Sequence, residues 1–372
     1  MRRAIIHVGM PRTASTTVQH VLAHLRPELD AAGILYPDLT PRSAAEPHIS
    51  HQHLGEALDG RRPRAEAREL LDDLSRHLTA TKADTLILSY EDWIQEKRAL
   101  AIAATLKDVV QRHGFRMEAV VVAKPQDEHL NSIYSHRAQL MREKRLFAGF
   151  CRGFEGSGRF AYAELMDPWL AACDGQICGL PLRDRRSDAP LMHRFLIELG
   201  LADRVLPLLD AAATTRVENR SPGPVAVEVS RRLRRLRVPS RLRIRPRAAM
   251  REIERDVAAL GLDRIPFKGV TPAQRTRLAQ RFRATNDRFA HALWGTDWDS
   301  VVAPEREHPV NEIGGHPVPQ ETEAVIQDLV RDACARLNVA TTSPWYRPLA
   351  EAAEDAADAA QRLLRLSSWR VI

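Results

Sequence analysis

The residues best suited to chemistry lie in one stretch near the start of the chain, which reads AIIHVGMPRTASTTVQ from Ala4 to Gln19. Its apolar beginning predicts a β-strand, and its second half predicts the first turns of an amphipathic helix. A turn between a strand and a helix directs backbone N–H groups and the positive end of the helix dipole at one point. With Arg12 and several hydroxyl groups beside them, these N–H groups are suited to bind an anion.

The stretch does not have the phosphate-binding pattern of nucleoside triphosphatases. That pattern, G-x-x-x-x-G-K-[ST], requires a second glycine followed by a lysine, and neither occurs at the corresponding positions. A kinase-like or other phosphoryl-transfer protein with the same kind of phosphate cradle is kept as an alternative, which the missing Gly-Lys-Ser/Thr ending weakens.

The segment from His7 to Gln19, HVGMPRTASTTVQ, resembles the loop with which sulfotransferases hold the 5′-phosphosulfate of 3′-phosphoadenosine 5′-phosphosulfate (PAPS). The family pattern is Pro-Lys-Thr/Ser-Gly-Thr-Thr after a strand. Arg12 stands where the family usually has lysine, and Ala14 where it usually has glycine. The resemblance implies that Arg12 contacts the oxygen between sulfur and the 5′-phosphate. It also implies a set of donor-binding loop residues: Pro11, Arg12, Thr13, Ala14, Ser15, Thr16 and Thr17.

A second motif follows another predicted strand, MEAVVVA at residues 117–123. Sulfotransferases bind the 3′-phosphate of PAPS with an arginine at the end of this strand and a serine eight residues later. Lys124 and Ser132 have that spacing, with lysine in place of arginine. Lysine keeps the positive charge but loses the bidentate fork of arginine. The resemblance extends over about residues 3–300, is strongest at these two motifs, and is closest to bacterial members of the family.

Transfer to a hydroxyl group needs a general base, which this family supplies with a histidine or a glutamate. Glu91 follows the predicted strand at residues 84–89, where cytosolic members carry their catalytic histidine, and it is the first candidate; its alternative role is an exposed acid at a strand end. His51 and His53, in a polar loop, are second candidates, although a non-catalytic role is favoured for both. With His48 they lack a fourth ligand, so no metal site is expected.

These motifs need a sheet that brings the carboxyl ends of several strands to one edge. Apolar runs at residues 84–89 and 117–123 are typical of buried parallel strands. The predicted fold class is α/β over residues 1–300, with a central, mostly parallel sheet flanked by helices, as in the P-loop-type fold of sulfotransferases. A Pro- and Gly-rich linker is predicted at residues 301–319. A helical C-terminal extension follows at 320–372, which is compatible with packing on the domain, on itself or on a second subunit of a homodimer.

Composition limits the choice of partners. The chain has 372 residues, 44% of them apolar, which is enough for a large core, and neither a leader-like segment nor an apolar run of membrane length is evident. We therefore expect a cytoplasmic protein without a membrane span. The net charge of +7 suits an anionic ligand, but nine arginines lie between residues 231 and 247. That run indicates either a polyanion contact or a solvated helix end. The second is favoured because aromatic residues are absent, and no nucleic acid partner is expected.

The resemblance therefore implies a PAPS-dependent sulfotransferase that acts on a hydroxyl of a carbohydrate or other small metabolite, with no metal ion. Arg12, Ala14 and Lys124 depart from the usual motif at positions that define the donor site. A second hypothesis is accordingly a catalytically degenerate sulfotransferase-like protein that binds a nucleotide or a polyanion.

Overall fold

The computed structural model describes residues 2–41, 44, 47–95, 98–155, 157–209, 221–238, 246–306, 308–314 and 318–336. The chain forms two compact units. The first contains the described residues within Met1–Leu130, Gly153–Arg220 and Thr271–Glu307. The second contains the described residues within Asn131–Arg152 and Ser221–Val270 and those that follow His308.

The first unit is built on a parallel sheet, and this sheet with its flanking helices confirms the predicted fold class. Its described strands are β1 Arg2–Gly9, β2 Ile34–Leu35, β3 Thr85–Ser89, β4 Phe115–Ala123 and β5 Ile177–Pro181. The strand order is β2-β3-β1-β4-β5, and every neighbouring pair is parallel.

Strand β1 occupies the centre of the sheet, where Ile5 pairs with Ile87 of β3 and with Glu118 of β4. After β1 the chain runs out to β2, returns to β3 beside β1, and then crosses to β4 on the other side of β1. In open parallel sheets, such a change of direction opens a crevice at the carboxyl ends of the central strands. The segment that follows β1 therefore lies where ligands bind in this architecture.

The helices of the described chain are named in chain order. The first eight are α1 Ser15–His24, α2 Arg26–Ala31, α3 Gln52–Leu58, α4 Arg64–Ala80, α5 Ala99–Arg112, α6 Gln126–Gln139, α7 Phe147–Glu155 and α8 Tyr162–Ala172. The next seven are α9 Leu191–Glu198, α10 Ala202–Val205, α11 Pro224–Arg235, α12 Pro246–Ala259, α13 Pro272–Trp294, α14 Trp298–Val301 and α15 Gln320–Arg336. Among the described residues, no helix has both the length and the apolar character to cross a membrane.

Helix α1 packs on the sheet through the face that the sequence predicted. Its residues Val18, Val21 and Leu22 share an apolar core with Ile5 of β1 and Phe195 of α9. Burial of each such side chain contributes about 1.5–3 kcal/mol, so this contact fixes the start of α1 beside the end of β1.

The amphipathic helix predicted after the loop is not continuous. It divides at Leu25 into α1 and α2, with a proline in the first turn of α2. Pro27 has no N–H to donate into the preceding turn, and its ring crowds the carbonyl group four residues earlier. A helix through this position therefore breaks.

The second unit is a set of helices that share an apolar core. The buried side chains Val229 and Leu233 of α11 belong to one cluster with Ile253 of α12 and Ile326 of α15. The described residues within 131–152 and 221–270, which the sequence interpretation placed in the α/β domain, belong to this unit. The division differs from the predicted boundary at residue 300 because these amphipathic helices bury their apolar faces together.

The chain between α14 and α15 makes specific contacts. Val302 forms an isolated bridge with Asp184 in the first unit, and the N–H of Asn311 donates to the carbonyl oxygen of Lys268 in the second, at 2.9 Å. The predicted linker at 301–319 is thus held to the two units over much of its described length. The part of the predicted C-terminal extension that follows residue 336 lies outside the described residues.

Candidate functional site

The loop of residues 10–17 lies between the carboxyl end of β1 and the start of α1. The N–H of Met10 donates to the carbonyl oxygen of Val122 in β4 at 3.0 Å, and the N–H of Tyr90 donates to that of His7 at 3.1 Å. A Cβ at Gly9, where φ is 154°, would lie 2.8 Å from the carbonyl oxygen of Glu91. Only glycine fits this close approach, which places the backbone of Glu91 against the start of the loop.

Two loop hydroxyls point inward. The hydroxyl groups of Thr13 and Ser15 donate to the carbonyl oxygen of Met10 at 2.5 Å and 3.2 Å, and both side chains are buried. They hold the loop together, so contact of these two residues with an anion would come from their backbone N–H groups. The hydroxyls of Thr16 and Thr17 are half-buried and make no hydrogen bond within the described part of the chain.

The loop backbone is strained at two residues. Arg12 has φ 65° and Ala14 has φ 64°, both in the left-handed region. A side chain with a Cβ costs about 1 kcal/mol there, which glycine avoids. Ala14 is the residue before α1, and its side chain supplies no cap to the first turn. The first N–H groups of a helix have no partner within the helix and are thus suited to bind an anion.

Lys124 joins the end of β4 to this loop. Lys124 is 4% exposed, and its ammonium group donates to the carbonyl oxygen of Arg12 at 2.7 Å. Burial lowers the pKa of Lys124 to about 7; the charge of Glu128 opposes this shift, while the charges of Arg12 and Arg183 add to it. Glu128 itself forms an ion pair with Arg183, which follows β5. The carboxyl edge of the sheet thus gathers Arg12, Lys124 and Arg183, of which Arg183 is paired with Glu128.

Glu91 lies at the same edge, two residues beyond β3. Its carboxylate is half-buried, and Oε2 accepts a hydrogen bond from Nε2 of Gln19 at 2.7 Å. Gln19 lies in α1, directly after the loop. The structure therefore brings Glu91 together with the loop, as expected for a residue that follows a neighbouring strand.

His51 has a different environment. It is 1% exposed, Nδ1 accepts from the N–H of Ser89 at 2.9 Å, and Nε2 lies 3.0 Å from the carbonyl oxygen of Pro37. Burial lowers the pKa of His51 to about 4. Both ring nitrogens are thus engaged by the backbone, and the ring joins the loop before α3 to the end of β3.

The ring of His53 packs edge-on against that of His48, with 5.3 Å between their centroids. Burial lowers the pKa of His53. Within the described ranges, no group of three or more His, Cys, Asp or Glu side chains is placed to hold a metal ion. A catalytic role for His51 or His53 stays a prediction. Glu91 is the candidate base that contacts a residue of α1.

Ser132 lies in the second turn of α6 and belongs to the second unit, whereas Lys124 belongs to the first. The expected pairing of these two residues on one phosphate stays a prediction from the resemblance.

The structure adds residues that sequence reasoning did not find. The hydroxyl of Tyr162 donates to the carbonyl oxygen of Lys124 at 3.0 Å, and it lies 2.9 Å from Nδ1 of the buried His129. These contacts fix the backbone at the end of β4. No local pattern signals Tyr162, but Gln19 lies one helical turn after Ser15, a spacing that puts both on one face of α1.

The start of the basic run is engaged in ion pairs. Arg231 is 3% exposed and donates to Glu228 at 2.5 Å and 2.8 Å. Arg232 donates to Glu228 and to Glu323, each at 2.7 Å. These two guanidinium groups serve the fold of the second unit and do not favour the polyanion hypothesis. Residues 239–245 of the run lie outside the described residues.

No family model and no curated protein matches the chain. A solved structure, a sulfotransferase from Alicyclobacillus acidocaldarius, is similar over 79% of this chain and 96% of its own, with 13% sequence identity and a TM-score of 0.38. At this identity and TM-score the match carries no functional conclusion, so the function is inferred from the residues of this chain.

Proposed function

We propose that this protein transfers a sulfuryl group from PAPS to a hydroxyl group of a carbohydrate or other small metabolite. The observation that supports this most is the junction at the carboxyl edge of the sheet. There the loop of residues 10–17, Arg12 and the buried Lys124 meet, with Lys124 bonded to the backbone of Arg12 at 2.7 Å. A helix N-terminus with two cationic side chains is suited to a phosphosulfate.

Donor binding falls mainly to the loop. Backbone N–H groups of residues 13–16 and the hydroxyls of Thr16 and Thr17 would bind the 5′-phosphosulfate. Lys124 would supply charge to a phosphate of the donor, and an anion beside it would favour its protonated form. The role of Ser132 at the 3′-phosphate, and that of Arg12 at the bridging oxygen, follow from the resemblance.

The chemistry is an in-line displacement at sulfur. The acceptor oxygen forms a bond to sulfur, and the bond between sulfur and the bridging oxygen of PAPS breaks. The proton of the acceptor hydroxyl moves to Glu91, and adenosine 3′,5′-bisphosphate leaves with the electron pair. Arg12 stabilises the negative charge that develops on the bridging oxygen. Positioning of the donor and the acceptor supplies most of the remaining rate enhancement.

A second candidate function is nucleotide binding without efficient transfer. It is favoured by the hydrogen bond from Lys124 to the carbonyl oxygen of Arg12, which uses one of the three donors of the ammonium group. The left-handed backbone at Arg12 and Ala14 adds strain in the same loop.

The test is incubation with PAPS labelled with sulfur-35 and a panel of monosaccharides, disaccharides and small alcohols. We expect label on an acceptor with the wild-type protein, and a fall of about 10²- to 10⁴-fold in Glu91→Gln, because the general base is lost. Glu56→Gln is the matched control, since Glu56 also accepts from a glutamine, Gln52, at 2.7 Å. It should keep full activity.

Three results separate the candidates. Binding of adenosine 3′,5′-bisphosphate without any transfer would favour the second candidate. Transfer from ATP labelled at the γ-phosphate would favour a kinase-like protein. The absence of both binding and transfer would contradict the proposal.

A further inference from the structure

A buried chain of hydrogen bonds ends at Glu91. Gln19 is 3% exposed, and its Nε2 donates both to Oε2 of Glu91 at 2.7 Å and to the hydroxyl of Ser89 at 3.2 Å. Ser89 Oγ lies 2.8 Å from Nδ1 of His7, which is fully buried in β1. The amide group of Gln19 therefore joins Glu91 to Ser89, and the hydroxyl of Ser89 joins both to His7 in β1.

The amide of Gln19 uses both of its N–H donors in these two bonds. An ionised carboxylate is an acceptor only, so the bond to Oε2 orients the carboxyl group of Glu91 without competing for its other oxygen. No hydrogen bond to Oε1 of Glu91 occurs among the described residues. One oxygen is thus held in place, and the other keeps its capacity to accept a proton.

The neighbouring acid is held differently. Asp92 accepts a hydrogen bond from the hydroxyl of Tyr90 at 3.2 Å, and burial raises its pKa. No hydrogen bond joins Asp92 to Gln19 among the described residues. Of the two adjacent carboxyl groups, that of Glu91 is hydrogen-bonded to α1, the helix that begins at the loop of residues 10–17.

We infer that Gln19 is a positioning residue, which orients the carboxylate of Glu91 so that Oε1 can take the proton of the acceptor hydroxyl. The inference rests on the proposed function, because it concerns the base of that reaction. In the step itself, the O–H bond of the acceptor breaks, the proton forms a bond to Oε1, and the hydrogen bond from Gln19 to Oε2 is kept. Gln19 does not touch the substrate.

The main variant is Gln19→Met, which has a similar length and no donor; Gln19→Ala is a second variant in case Gln19→Met does not fold. Gln139→Met is the matched control: Gln139 is also buried, and its Nε2 donates to Oε1 of Glu254 at 3.1 Å in the second unit. Comparison of melting temperatures separates a loss of fold from a loss of orientation.

We expect Gln19→Met to lower kcat about ten- to hundredfold, because small errors in the position of a reacting group have costs of that order, with the KM for PAPS unchanged. In a Glu91→Gln background the same substitution should have no further effect, since Gln19 acts through Glu91. The Cδ resonance of carbon-13-labelled Glu91, assigned by its absence in Glu91→Gln, should move in Gln19→Met and stay in Gln139→Met.

An equal loss of kcat in both backgrounds, or an equal loss in Gln139→Met, would overturn the inference, because either would mean a general structural effect. An unmoved Cδ resonance would also overturn it. If the wild-type protein transfers no sulfuryl group but the resonance moves as expected, the proposed function is wrong, although the hydrogen bond between Gln19 and Glu91 is present. The role of Gln19 in transfer would then be overturned with the proposed function.

Discussion

In the second unit, the buried guanidinium of Arg231 bonds the carboxylate of Glu228, whereas in the first unit the buried ammonium of Lys124 bonds the backbone carbonyl oxygen of Arg12. A carboxylate compensates a buried cation, and a carbonyl group does so only in part. Accordingly, burial lowers the pKa of Lys124 to about 7, with the charges of Arg12 and Arg183 acting in the same direction and that of Glu128 opposing the shift. The buried charge in the second unit is compensated by an ion pair within the fold, whereas charge at the sheet edge is suited to an anion that binds there.

The largest expected effect comes from removing the compensating carboxylate in the second unit. Glu228→Leu leaves Arg231 buried without its partner and should lower the free energy of unfolding by about 3–5 kcal/mol. Glu228→Leu/Arg231→Met should recover most of that loss, because the buried charge is removed. Urea unfolding followed by circular dichroism measures both.

The matched substitution at the sheet edge is Lys124→Met. We expect no loss of unfolding free energy, because methionine avoids the cost of burying an ammonium group whose pKa is lowered to about 7. Equal losses for Lys124→Met and Glu228→Leu would remove the contrast between the two regions.

Acid should affect the first unit before the second. Burial lowers the pKa of His51 from 6.5 to about 4, so the unfolded chain binds a proton that the folded chain does not. Stability from this group is present above pH 6.5 and is lost as the pH falls towards 4, by roughly 3 kcal/mol at most. In the second unit, the hydrogen bond from Arg232 lowers the pKa of Glu323 to about 2, so that ion pair persists in this range.

Hydrogen exchange of intact protein, digested after labelling at pH 7 and pH 4.5, measures this difference. Protection of β1 and β3 should fall before that of α11 and α15. In His51→Gln, the dependence of unfolding free energy on pH should be shallower by up to about 1.4 kcal/mol per pH unit. If the unfolding free energy of His51→Gln depended on pH as that of the wild type does, the role given to His51 in this loss of stability would be contradicted.

Arg12 should matter for binding more than for stability. Arg12→Met should weaken binding of adenosine 3′,5′-bisphosphate about ten- to hundredfold, the value of a charge-assisted hydrogen bond. Arg116→Met is the control, because Arg116 lies near the amino end of β4 and pairs with Glu118 at 2.7 Å. Calorimetric titration that gave the same loss for both arginines would point to net charge rather than to the loop.

The smallest effect concerns the loop backbone. Ala14→Gly should raise the free energy of unfolding by about 1 kcal/mol, because glycine adopts φ 64° without strain. Gly295→Ala is the converse, since Gly295 ends α13 at φ 67° with open space around it, and should cost a similar amount. A destabilised Ala14→Gly would mean that the Cβ of Ala14 makes contacts worth more than the strain.

The parts of the site that a local pattern determines could be predicted from sequence. The apolar strand, the loop of residues 10–17 and the inward face of α1 follow from side-chain periodicity, and Glu91 follows from its place after a buried strand. The inward direction of the Thr13 and Ser15 hydroxyls could not, because it depends on how the carbonyl group of Met10 turns.

Contacts between distant segments were also beyond the sequence. The hydrogen bond from Lys124 to Arg12 joins residues that are 112 positions apart. The second unit combines segments that are separated in the sequence by segments of the first unit. Amphipathic helices such as α11 and α12 indicate that a partner surface exists, but their periodicity does not identify it. For the same reason, the sequence of the basic run does not predict the ion pair between Arg232 and Glu323.

The most direct test of the central claim, that Arg12 and Lys124 bind an anion at the sheet edge, is calorimetric titration of adenosine 3′,5′-bisphosphate between pH 7 and pH 10. Wild type should prefer it to 5′-AMP and ATP and lose affinity as the pH rises, because Lys124, with a pKa near 7, gives up its charge. Lys124→Arg should keep its affinity across this range, and Lys124→Met should be weak throughout. Equal binding of all three nucleotides, or a Lys124→Met variant that binds like wild type, would contradict the claim.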